Sequence, residues 1–199
     1  STGKHEAVEL RDNISHYYFG KSVNQAINNI HKTIKPLLIN KKIDNISKID
    51  ELMICADGSK NKKLLGANAI LAVSLACLKA SAQNEQMHLY QYINTLYPNK
   101  MTMPIPMMNI LNGGSHADNS LDIQEFMIFP IGLGNFSNSL RAGVEIFHNL
   151  KRILKTNNYN TNIGDEGGFA PMLSNNEEAI ELILEAIIKA GYKPGKEIA

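Results

Sequence analysis

The 199-residue sequence predicts an α/β chain, and three observations carry that reading. Apolar residues recur at three-or-four spacing through most of the first half. A proline-flanked run of β character begins at Pro104. From there the pattern reads strand, turn, strand, helix, loop, helix.

Val23, Ala26, Ile27, Ile30 and Ile34 set the first helical stripe, which Pro36 is expected to bend or end because it lacks an N–H. Ile46, Ile49, Leu52 and Met53 mark a shorter helix after Asn45. From Ala67 to Gln83 the apolar residues run nearly all round, so this helix is expected to be buried. Its Asn68, Ser74, Lys79 and Ser81 argue against a membrane span. A domain boundary is expected near Tyr97-Pro98-Asn99-Lys100, dividing the chain into 1–100 and 101–199.

In the second part, Pro104 to Leu111 reads as a strand, Asn112 to Asn119 as a turn, and Leu121 to Pro130 as a second strand with Gln124 and Glu125 in its middle. A carboxylate within an apolar strand is costly unless it is paired, hydrogen-bonded or near solvent, and such a cost usually marks function. Leu140, Val144, Phe147, Leu150 and Leu154 form one helical stripe. Ser174 and Glu177 have capping-box spacing at the start of the last helix, which should stop at Gly191.

Composition excludes more than it identifies. At 199 residues the chain is long enough for one large or two small cores, and 44% hydrophobic residues argue against disorder. A net charge of +1 leaves no electrostatic footprint for nucleic acid or a membrane surface. Cys55 and Cys77 lack metal-type spacing and are expected to be buried thiols in a reducing compartment. No signal peptide is visible.

Two polar runs concentrate the chemistry. Asn162 to Pro171 places Asp165 and Glu166 among glycines, which let the backbone approach a ligand closely while the carboxylates hold a proton, a hydrogen bond or a metal. Asn112-Gly113-Gly114-Ser115-His116 adds one imidazole upstream. Taken alone, the Asn162 to Pro171 run reads equally well as a solvated turn, and a lone histidine in a turn is more often simply solvated.

Six segments in order resemble the enolase family. They are Ser1-Thr2-Gly3 with Glu6 to Asp12, then Gly66 to Ser74, Pro104 to Asn109, Asn112 to His116, Gln124 to Ile128, and Gly164 to Pro171. The resemblance implies an N-terminal α+β domain without its first strands, followed by the opening ββαα part of a TIM-like barrel. It implies a fragment lacking both ends, of low stability alone because its strand faces lack partners.

The activity implied is the reversible, Mg²⁺-dependent dehydration of 2-phospho-D-glycerate to phosphoenolpyruvate in glycolysis and gluconeogenesis. The parent enzyme would be a cytoplasmic homodimer, with a surface or secreted pool as in some enolases. By the same resemblance Glu166 is the proton donor and Glu125 its partner carboxylate, 41 positions earlier. His116 is the mobile-loop histidine, Gln124 a substrate contact, and Ser1 a ligand of a second, substrate-dependent Mg²⁺. The main acidic Mg²⁺ ligands and the lysine base would lie beyond Ala199. Asp118 and Asp122 match none of the family's metal ligands. A different class of reading is a truncated, non-catalytic polypeptide kept for binding, for example to plasminogen.

Overall fold

The computed structural model describes residue 3 and residues 5–199, which fall into two compact units, Ser1–Met101 and Thr102–Ala199. The first is helical: α1 (Asn24–Asn29), α2 (Lys35–Leu38), α3 (Ile46–Asp57), α4 (Ala67–Asn84) and α5 (Leu89–Leu96). Its core gathers Ala26, Ile34, Ile49, Met53, Leu65 and Ile70. Among the described residues no helix is long and apolar enough to cross a membrane.

Several expectations change here. Pro36 does not end its helix, because a π-helical stretch, Ile30–Ile34, joins α1 to α2 and places Pro36 in the first turn of α2. Because that stretch runs straight into α2, the missing N–H interrupts a continuous helix, and the wider π-helical turn just before Pro36 is where the chain accommodates it. Helix α4 is not buried all round: Ala69, Ile70, Ser81 and Ala82 are buried, whereas Leu71 and Leu75 are exposed. Cys55 is exposed rather than buried, and only Cys77 is partly covered, where burial pushes its thiol up. Helix α5 was absent from the sequence expectations, although Leu89, Tyr92, Ile93 and Leu96 carry helical spacing.

The second unit has the order ββαα. Strand β1 (Met108–Asn112) pairs antiparallel with β2 (Glu125–Ile128), setting Met108 opposite Ile128 and Asn112 opposite Glu125. A register irregularity lies between Asn109 and Leu111. Helices α6 (Phe136–Thr156) and α7 (Asn176–Lys189) pack with the strands around Leu111, Ile128, Ile146, Leu154, Phe169 and Ile187. Phe169 is fully buried and stacks on Phe147 with centroids 4.3 Å apart.

Both strands are shorter than expected. Glu125 therefore opens β2 instead of sitting mid-strand, which leaves it half-buried and avoids the full desolvation cost. In α6 the buried face runs through Ala142, Ile146, Leu150, Ile153 and Leu154, so Leu140 and Val144 from the expected stripe are exposed. The cap of α7 lies one residue later than expected. Asn175 accepts from the Glu178 N–H at 2.8 Å, and the Glu178 carboxylate accepts from the Ser174 N–H at 2.7 Å. The stop at Gly191 holds, with φ of +88°.

Candidate active site

Three short pieces of backbone in the second unit build the site. The first is the turn after β1, where Gly113 and Gly114 lead into a 3₁₀ turn, Gly114–His116. Gly114 has φ of +54°, and an added Cβ would meet Gln124 Cγ at 2.8 Å, so only glycine suits both the conformation and the space. The N–H groups of Gly113 and Gly114 donate to the carbonyls of Gln124 (3.0 Å) and Leu121 (2.7 Å), tying this turn to the entry of β2.

The second piece is that entry itself, which presents Gln124 and Glu125. The third is the Gly164–Gly168 turn, closed by Gly164 N–H to the Gly168 carbonyl (2.8 Å) and Gly167 N–H to the Gly164 carbonyl (3.1 Å). Glu166 sits at its tip. The Asp165 N–H donates to the His116 carbonyl at 3.2 Å, and the Phe169 N–H to the Ile110 carbonyl at 3.0 Å, fixing this turn against the first and against β1.

These pieces bring three expected residues together. His116 Nδ1 lies 3.5 Å from Glu125 Oε1 and 3.9 Å from Glu166 Oε1. Side-chain exposure rises from 16% at His116 to 32% at Glu125 and 49% at Glu166, so the imidazole forms the floor and Glu166 the solvent side. His116 Nδ1 is itself buried and makes no well-formed hydrogen bond to either carboxylate. At these separations the attraction is mainly one of charge, exerted when the imidazole is protonated.

Gln124 donates from Nε2 to the Ser115 hydroxyl, placing it beside the same turn. Asp118 and Asp122 stay outside the cluster formed by His116, Glu125 and Glu166. Ser1 lies outside the described residues. Two residues without an assigned role in the sequence reading also shape the site. The Asn119 side chain donates to the carbonyls of Asn112 (2.9 Å) and Pro171 (3.2 Å), bridging the two glycine turns. Ser115 holds Gln124, and its only sequence signal is its place between Gly114 and His116.

The donor atoms of His116, Glu125 and Glu166 all lie within 4.8 Å of one another, which admits a shared metal geometrically. One imidazole with two carboxylates is a mixed set suited to borderline transition metals. Magnesium calls for an octahedron of oxygens, which this trio does not supply. Two carboxylates around an imidazole can instead share and pass protons at a half-open surface, the arrangement acid–base chemistry needs.

Two family models match the chain. One, described as the enolase N-terminal domain, matches residues 1–93, and the other, described as the enolase C-terminal TIM barrel domain, matches residues 100–199.

Proposed function

The chain belongs to the enolase family, and from that premise we propose that its gene product is a carbon–oxygen lyase converting 2-phospho-D-glycerate reversibly to phosphoenolpyruvate in the cytoplasm. The observation that carries this reading is the convergence of His116, Glu125 and Glu166 on one spot from three separate pieces of backbone.

Dehydration asks for an acid that delivers a proton to the departing hydroxyl. Glu166 is the acid in this reading: it stands at the tip of a glycine turn, half-exposed, where a substrate oxygen can reach it. Glu125, more buried at the start of β2, stands on the other side of the imidazole and in this reading couples to Glu166 through charge. His116, when protonated, offers positive charge to an anionic substrate, and Gln124, held by Ser115, contributes a polar contact beside it.

Magnesium enters this reading through the family, and supplies electrostatic stabilisation of the substrate carboxylate. Because the described trio is not an oxygen cage, its ligands are other groups, and no step here runs through it. The reading takes 1–100 as the N-terminal domain and 101–199 as the start of the barrel domain, in a homodimer.

The test is to express the gene product, purify it with Mg²⁺ and follow phosphoenolpyruvate formation from 2-phosphoglycerate. Turnover that EDTA abolishes and Mg²⁺ restores supports the proposal. A folded protein without turnover at any Mg²⁺ concentration contradicts it.

A further inference from the structure

Asn112, the last residue of β1, adjoins all three pieces of the site. It faces Glu125 across the strand pair. Its N–H donates to the Phe169 carbonyl at 2.8 Å, and its own carbonyl accepts from Asn119 Nδ2 at 2.9 Å. The side chain is fully buried, yet neither Oδ1 nor Nδ2 has a hydrogen-bond partner among the described residues.

The surroundings of that amide are specific. A Cβ on Gly168 would lie 2.5 Å from Asn112 Oδ1. One on Gly164 would lie 2.9 Å from Asn112 Cβ, 3.1 Å from its Cγ and 2.8 Å from the His116 carbonyl. The amide is thus wedged under the two glycines that bracket Glu166. If residue 112 only filled space, an apolar side chain of the same size would do so without burying unpaired polar atoms.

We propose that Asn112 is a positioning residue: its amide seats the Gly164–Gly168 turn and so fixes Glu166 beside His116 and Glu125. The kinetic arm of the test rests on the reading of Glu166 as the acid, and the structural arm does not.

The experiment uses the whole gene product carrying Asn112→Leu, with Asn112→Ala as the second variant should leucine prevent folding. The expected result is a folded protein whose kcat falls tenfold or more while KM stays within twofold. Its crystal structure should show the Glu166 carboxylate displaced from its 3.9 Å approach to His116 Nδ1. An unmoved turn overturns the proposal whatever happens to kcat, whereas a displaced turn with parental kcat in an active enzyme upholds the role of Asn112 and overturns the reading of Glu166 as the acid. If the parent protein has no dehydratase activity, the functional reading fails, while the Glu166 to His116 separation in the variant still decides the role of Asn112.

Discussion

The backbone N–H of Asp165 donates to the carbonyl of His116 at 3.2 Å, so the turn that carries Glu166 is tied directly to the turn that carries His116. This bond explains how an imidazole and a carboxylate from distant parts of the chain keep a separation of 3.9 Å on loops, where side chains are otherwise loosely held.

Removing the imidazole should therefore leave Glu125 and Glu166 without the ring that stands beside both of them. His116→Ala is expected to lower kcat/KM by about 10²-fold, within the range for a group of this kind. Steady-state kinetics on the purified variant checks this, with a thermal melt to show that the fold is kept. Parental kinetics would remove His116 from the account.

Much of this was legible in the sequence, and the failures have physical causes. The ββαα order and the glycine turns could be read because period, β-branched content and glycine runs are local signals. The cap of α7 was misplaced because Ser174 with Glu177 and Asn175 with Glu178 have the same spacing, and only the backbone bend selects the second pair. The position of Glu125 at the start of β2 depends on where pairing with β1 begins, a non-local fact. The bridging by Asn119 and the unpaired amide of Asn112 were invisible for the same reason, since each depends on a loop some fifty residues away in sequence. Helix α5 was missed despite its spacing because it is only eight residues long and lies beside the proline boundary.

Packing around Gly168 leaves no room for a side chain. Its Cβ would stand 2.6 Å from the Leu111 nitrogen and 2.8 Å from the Ile110 carbonyl carbon, both backbone atoms that cannot step aside. Gly168→Ala is expected to destabilise the protein by about 1–3 kcal/mol, the usual cost of overpacking. Urea unfolding monitored by circular dichroism measures it, and a midpoint equal to the parent's would show that the strand and turn separate easily.

Asp57 should give stability a pH dependence that has nothing to do with catalysis. Burial pushes its carboxyl up, but hydrogen bonds from the N–H groups of Leu65 (2.7 Å) and Ser59 (3.0 Å) and from the Ser59 hydroxyl outweigh this and hold it below its ordinary value. A carboxylate depressed in the folded state stabilises at pH above its unfolded value, about 3.9, and that contribution is lost as pH falls through the folded value. Asp57→Asn is expected to cost about 1–3 kcal/mol at pH 7 and progressively less below pH 4. Urea titrations at several pH values test this, and a cost independent of pH would contradict it.

The most direct measurement is turnover of 2-phosphoglycerate by the gene product carrying Glu166→Gln, together with its affinity for the substrate. Glutamine keeps the size and the turn but cannot give up a proton to the leaving hydroxyl. The account expects kcat to fall by about 10²–10⁴-fold while the substrate still binds within a few-fold of the parent affinity. Turnover at the parental rate would contradict the assignment of Glu166 as the acid, and with it the central claim about this site.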